Sequence, residues 1–158
     1  MTTALETPFD APVVDWLSVR VVVDSAYERF LPKAAHEFCR IEHVGKIPGR
    51  QMTTLACEWG LSLHLEAEAG GQRSQFLLDF GYTPEILNRN FALLDIDPAK
   101  IGGLILSHAH RDHYGGMEGF VDQFRYQMPD ELSFFIGGEG VFRERWTRGT
   151  GDEWVSWG

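Results

Sequence analysis

Cysteine is scarce in this chain. Cys39 and Cys57 are the two present among 158 residues. Two thiols, neither in a Cys-x-x-Cys pair, do not make a disulfide framework, and they read as reduced thiols of a cytoplasmic protein. Positive charge is also short: 14 Lys and Arg stand against 23 Asp and Glu, for a formal net charge of -9. Such a surface repels phosphate backbones, so a nucleic-acid partner is not expected. No apolar run approaches the length of a membrane span. The first fifteen residues contain Glu6, Asp10 and Asp15 and no Lys or Arg. They therefore lack the basic start of a signal peptide, and neither a membrane partner nor export is expected. Repeats and low-complexity segments are absent as well.

What remains is a normal globular composition, 44% hydrophobic and 23% charged, and a length suited to one domain with its own core. Residues 1–16 read as a loose leader, with Pro8 and Pro12 discouraging regular structure, and residues 17–158 as the domain. Val19, Val21, Val22 and Val23 mark a buried strand over 17–24. Residues 27–39 read as a helix, and 41–50, rich in Gly, Pro and basic residues, as a loop. Leu61, Leu63, Leu65, Ala67 and Ala69 alternate with Ser62, His64, Glu66 and Glu68. That period of two predicts a strand with one wet face, which carries His64. Gly70-Gly71 predicts a hairpin, and Gln75 to Asp79 the returning strand.

Thr83-Pro84-Glu85 has the form of a helix start, a hydroxyl cap followed by proline. Ile86, Leu87, Asn90, Phe91 and Leu94 suit the buried face of that helix. Asp97-Pro98 predicts a second, shorter helix start. Leu104-Ile105-Leu106 reads as a buried strand, a helix is expected from Gly115-Gly116 to about Gln127, and Ser133 to Ile136 as another buried strand. The tail from Gly137 is Gly-rich and holds Trp146, Trp154 and Trp157, residues that suit a core, an interface or a pocket wall. Strands alternating with helices predict an α/β layered domain, with helices packed on a mixed sheet.

The chemistry concentrates in His108-Ala109-His110-Arg111-Asp112-His113. Three of the six histidines and one aspartate fall within six residues, directly after a predicted buried strand. Neutral imidazole and carboxylate are good ligands for zinc and similar divalent metals. In an extended loop, residues two apart face the same way, so His108 and His110 can address one metal. Asp112 and His113, after a turn, can address a second. Gly115 and Gly116 let the backbone bend where a larger side chain would crowd the metals. His36, His43 and His64 stand apart from this cluster and read as structural or solvated rather than as substitute ligands.

The run Leu106 to Gly116 resembles the His-x-His-x-Asp-His signature of the metallo-β-lactamase superfamily. Leu77-Leu78-Asp79-Phe80-Gly81 resembles that family's strand ending in Asp-x-Gly, although threonine is more usual where Phe80 stands. Glu58 to Ser62 and Asn90 to Leu94 resemble the subgroup related to 7,8-dihydropterin-6-methyl-4-(β-D-ribofuranosyl)aminobenzene-5′-phosphate synthase. The resemblance spans about residues 57–120. It implies the first half of an αβ/βα sandwich, a mixed sheet with helices on one face. It also implies two zinc ions, or manganese or iron in their place, sharing a hydroxide that attacks a phosphate ester, lactone or similar small substrate. Two metals about 3.5–4 Å apart lower the pKa of that water and clamp the attacked oxygen. His108 and His110 would bind the first metal and Asp112 and His113 the second, with Asp112 also the catalytic residue that orients the hydroxide. Asp79 would fix the ligand loop by hydrogen bonding; a carboxylate capping the following turn is the other reading of that residue.

The family pattern continues with further histidine and aspartate ligands, whereas no histidine follows His113 here. The chain therefore reads as a partial form of a larger hydrolase, its C-terminal half absent. The missing half, or another copy in a homo-oligomer, would cover the inner face of the sheet. The competing reading is a non-catalytic fragment or interaction module with weak metal binding. A metallo-ribonuclease of the same superfamily is disfavoured by the acidic charge.

Overall fold

In this computed structural model the residues described are 13–26, 28, 32, 34–35, 40–41, 54–144 and 146–156. Among them the chain runs β1 (Trp16–Val23), β2 (Ala34–Ala35), β3 (Arg40–Ile41), β4 (Ser62–Ala69), β5 (Gln72–Leu78), α1 (Pro84–Leu93), β6 (Ile101–Leu106), α2 (Arg111–Tyr114), α3 (Met117–Phe124), β7 (Ser133–Ile136), β8 (Trp146–Arg148) and β9 (Trp154–Ser156). Single 3-10 turns occupy Pro98–Lys100, Arg125–Gln127 and Glu139–Phe142.

Five strands form one mixed sheet in the order β1-β4-β5-β6-β7. The first three pair antiparallel and the last two join in parallel. The β4–β5 hairpin turns through Gly70 (φ 57) and Gly71 (φ 77), a left-handed pair that glycine adopts without Cβ strain. The parallel joints need crossovers, supplied by α1 and by α2–α3. The α/β class expected from the pattern is the class observed.

Helix α1 starts at Pro84 after Thr83, as its sequence predicts, but Thr83 makes no side-chain cap. Its hydroxyl instead donates to Glu58 Oε2 at 2.7 Å, while the Tyr82 and Thr83 amides donate to Glu58 Oε1 at 2.9 Å each. A carboxylate from a distant loop thus holds the turn that leads into the helix. Asp97 does cap its short turn, accepting from the Ala99 amide.

The core lies between the helices and one face of the sheet. Leu87, Phe91 and Phe120 are fully buried with Val22, Val23, Leu77 and Ile101, and Leu104, Leu106 and Phe124 join them. Phe91 meets Phe120 edge-on at 5.1 Å and Phe124 at 5.0 Å, which welds α1 to α3. Asn90, on the same helix face, is buried too. Its amide donates to Val22 O and Ala56 O and accepts from the Ala56 amide, tying α1 to β1 and to the loop before β4.

The opposite face is apolar but not sealed. Register aligns Val19 with Leu65 and Phe76, and Val21 with Leu63 and Leu78. Ile105 and Phe135 continue the row. Leu17, Val19, Val21 and Phe135 are about half exposed. Leu17, Val19 and Val21 in the 17–24 strand and most of the 133–136 strand are therefore not buried as expected. Both are sheet edges: Leu17, Val19, Val21 and Phe135 point to the face without helices, and Phe134, in register with buried Leu104, is exposed at the edge itself.

The same inversion affects β4. The face read as wet is the one under the helices at its start: Ser62 and His64 are buried, while Leu63 and Leu65 are partly exposed. His64 has a partner on that side, its Nε2 lying 3.1 Å from Gln75 Oε1 on β5. Ala34–Ala35 is a short strand paired with Arg40–Ile41, not part of a helix. The rest of the 27–39 and 41–50 expectations, the leader to residue 12, His36, His43, Cys39 and Trp157 lie outside the described residues. Cys57 is a free, exposed thiol. Among the described residues no helix is long and apolar enough to cross a membrane.

Burial holds the His64 imidazole below its ordinary pKa, and the Gln75 hydrogen bond offsets part of that shift. The unfolded chain therefore takes up this proton first on acidification. The stability contributed by neutral His64 is complete above its unfolded value of 6.5 and falls as pH drops through that value toward the lower folded one. His64→Gln is expected to lose less stability than the parent chain between about pH 8 and about pH 5.5. Urea midpoints at both values check this; an equal loss in the two proteins would contradict it.

Candidate metal centre

The cluster sits where β6 ends. Ser107 to His110 is extended, His110 having φ -91 and ψ 144, and the chain then turns into α2 at Arg111. The His113 and Tyr114 amides close that turn on His110 O at 2.9 and 3.2 Å. The strand-then-turn arrangement brings together the side chains singled out by spacing. The His108 ring lies 4.5 Å from His110 and 4.1 Å from His113, centroid to centroid. Asp112 Oδ2 lies 3.5 Å from His113 Nε2. His64 is not among them; it is buried on β4 beside Gln75.

Asp79 organises the group. It follows β5, is 1% exposed, and holds a left-handed backbone at φ 58. Its Oδ1 accepts the Ser107 amide at 2.8 Å, and its Oδ2 accepts the Ser107 hydroxyl and His113 Nδ1 at 2.7 Å each. Asp79 thus bonds to both ends of the 107–113 segment. The proton directions then follow from counting hydrogens. Ser107 has one hydroxyl proton, and it goes to the carboxylate. Its oxygen is therefore the acceptor for His108 Nδ1 at 2.9 Å. With Nδ1 protonated on both His108 and His113, each neutral ring keeps an unprotonated Nε2. The His108 Nε2 lone pair faces His110 Nδ1 at 3.0 Å, so His110 donates there. Burial, followed by the neighbouring His113 and His110, holds the His108 pKa below its ordinary value, which favours the neutral ring a metal would need.

The loop is also clamped through its backbone. The Phe80 amide donates to His113 O at 2.6 Å and the Leu61 amide to Asp112 O at 3.2 Å. A Cβ on Gly60 would strike Asp112 O, one on Gly115 would strike Tyr82 O, and one on Gly116 would strike Phe80 O. Glycine at 115 and 116 therefore serves close packing against the 80–82 turn, a more specific reason than bending freedom. Sequence reasoning missed Ser107, Glu58 and the Leu61 amide as supports. Ser107, adjoining the motif, was the one with a visible signal; the other two act across 20 or more residues.

In donor chemistry the cluster suits a zinc-type ion: unprotonated imidazole nitrogens and a carboxylate, with second-sphere bonds that fix the tautomers. In number it falls short. Among the described residues no group of three or more His, Cys, Asp or Glu side chains is arranged to hold a metal ion. The His108 ring is nearer to His113 than to His110.

The resemblance read from the motif is borne out by comparison with known proteins. Residues 69–127 match the metallo-β-lactamase superfamily, whose members commonly bind metals such as zinc. A Methanocaldococcus jannaschii protein, 7,8-dihydropterin-6-methyl-4-(β-D-ribofuranosyl)-aminobenzene-5′-phosphate synthase, is 32% identical over 98 residues, covering 55% of this chain and 33% of its own length. The chain thus spans about a third of that relative. A metallo-β-lactamase-like crystal structure from Thermotoga maritima overlaps 75% of this chain and 42% of its own at 17% identity, with a TM-score of 0.35, an overlap too slight to bear on the fold.

Because Asp79 and Ser107 act as one unit, their substitutions should not add. Asp79→Ala is expected to cost about 1–3 kcal/mol by leaving buried donors unpaired. In a double-mutant cycle, Ser107→Ala should cost less in the Asp79→Ala background than alone, by at least about 0.5 kcal/mol. Chemical denaturation of the four proteins measures both quantities, and strict additivity would dissolve the unit.

Proposed function

We propose that this chain, whose residues 69–127 carry the metallo-β-lactamase superfamily match, supplies one side of a two-metal site in a hydrolase or related synthase. His108 and His110 are assigned to one metal, and Asp112 and His113 to the other. The supporting observation is the Asp79-centred network, which engages Nδ1 of His113 directly and Nδ1 of His108 through Ser107, so that Nε2 is the nitrogen each neutral ring would offer a metal. A network of that polarity suits metal ligation.

Divalent metals in such a site supply Lewis acidity, activating water and polarising the bond to be cleaved. The protein's own share is positional. Ser107 and Asp79 hold the His108 and His113 rings, and Asp112 takes the acid–base role, accepting the proton that water gives up. The proposed substrates are small molecules with a phosphate ester, lactone or similar bond. The synthase reading stands beside hydrolysis because the Methanocaldococcus relative carries that description. Two donors per metal are fewer than such ions take, so the proposal includes further ligands from another segment or chain.

The alternative is an interaction module that binds metal weakly and catalyses nothing, in keeping with the lack of a three-donor group among the described residues. Metal analysis of the desalted protein, with the segment or chain that supplies those further ligands present, separates the two. About two metals per chain, with generic ester hydrolysis when zinc or manganese is added, is expected for the site proposed. Near-zero metal without hydrolysis supports the module. In a protein that does bind metal, His108→Ala and Asp112→Ala should each weaken it by more than about tenfold, while His64→Ala leaves it nearly unchanged.

A further inference from the structure

We propose that the charged hollow between β4, β5 and the segment after α1 binds a small zwitterion of the amino-acid class, with a carboxylate and an ammonium on one carbon. The site is separate from the His108–His113 cluster and does not depend on it.

The hollow has a volume of about 180 Å³, and Arg20, His64, Glu66, Gln75, Asp95 and Lys100 are in its wall. Gln75 and Ile101 are in register where β5 and β6 begin their parallel run. The hollow is thus at the end of these strands away from Asp79 and Ser107. A second hollow of about 290 Å³ shares Glu66, Gln75 and Lys100 with it and admits a side chain.

His64 distinguishes the hollow from ordinary surface relief. It is 5% exposed. Its Nε2 faces Gln75 Oε1, which can only accept, so the ring proton is on Nε2. Nδ1 is then a lone-pair acceptor without a partner among the described residues. Buried polar atoms are normally satisfied, and a ligand in the hollow supplies the donor. Burial, and less strongly the Arg20 charge, hold the ring neutral against the Gln75 hydrogen bond and Glu66.

Asp95 is the second signal. It follows Leu94, the C-cap of α1, in the left-handed conformation at φ 54. Glycine or asparagine is usual at that position, and an anion is disfavoured at a helix C-terminus. Its carboxylate makes no hydrogen bond or ion pair with a described residue. Arg20 carries the opposite charge to the same turn. One of its N–H groups donates to Leu94 O at 3.1 Å, which fixes the guanidinium there, and its other donors have no partner among the described residues. Lys100, by contrast, is paired with Asp97 at 3.8 Å, and Glu66 with Arg73 at 3.6 Å.

These groups select both ends of a zwitterion. The Arg20 fork donates to a carboxylate. Asp95 and the His64 lone pair accept the hydrogens of an ammonium. A simple anion meets an uncompensated acid, and a simple amine an uncompensated guanidinium. A metal ion fits less well, since no three His, Cys, Asp or Glu side chains among the described residues are arranged to hold one.

L-Alanine, propionate and ethylamine are matched probes, the last two lacking one charge each. They are titrated into the full chain, stripped with EDTA so that none binds through a metal. Nitrogen NMR of the imidazole rings reads His64 directly. L-Alanine should shift the His64 Nδ1 resonance with a Kd of about 1 mM or tighter, and leave His108, His110 and His113 unmoved. Propionate and ethylamine should bind at least about tenfold more weakly. Arg20→Gln and Asp95→Asn should each weaken L-alanine about tenfold. Asparagine suits the left-handed turn, so Asp95→Asn keeps the fold, as thermal melting checks. The proposal is overturned if L-alanine gives no His64 shift by about 10 mM, or shifts the cluster histidines instead. It is equally overturned if propionate or ethylamine binds as tightly, or if Asp95→Asn leaves the affinity unchanged.

Discussion

One buried carboxylate sets the geometry of the candidate site. Asp79 ends the central strand β5 in a left-handed conformation and accepts three hydrogen bonds from the loop after β6. Burying it is tolerable because those donors replace water. In return it orders protons along two branches, through Ser107 to His108 and directly to His113. A parallel pair of strands makes this possible, because β5 and β6 end side by side, and Leu78 and Ile105 share a register. The carboxylate after one strand is thereby beside the histidine loop after the other, 28 residues away in sequence.

Around that contact the backbone is packed so closely that side chains are excluded. Gly60, Gly115 and Gly116 each meet a carbonyl of a neighbouring segment. Glu58 gathers the amides ahead of α1, and the Leu61 and Phe80 amides bond the carbonyls of Asp112 and His113. Close-packed interiors transmit strain rather than absorb it. The 107–113 loop, the start of α1 and the Trp59–Tyr82 pair are consequently packed as one unit.

The sheet serves two different surfaces. One face carries the helices and an aromatic core; the other presents an apolar row that nothing among the described residues seals. This division explains where simple patterning misleads. In β4 the leucines point to the open face, whereas Ser62 and His64 sit under the helices. Alternation specifies that two faces differ, and the packing of distant elements decides which of them is covered.

The sequence by itself determined the α/β class, most strand positions, the Gly70-Gly71 turn, the Thr83-Pro84 helix start and the cluster of three histidines and an aspartate. Those signals are local: a period of two, a turn pair, donors within six residues. Tertiary structure alone decided which face of β4 is buried, that Glu58 and not the Thr83 hydroxyl supports the start of α1, and that residues 34–35 pair as a strand. It also joined Asp79 to Ser107 and His113, and set Trp59, Tyr82 and Arg111 against one another. Each of these is a contact between segments remote in sequence. Their energies depend on burial and on a partner's position, and neither is encoded in the spacing of neighbouring residues. The histidine run is thus legible as a set of donors from six letters. Its proton polarity becomes definite only when a strand from elsewhere brings Asp79 beneath it.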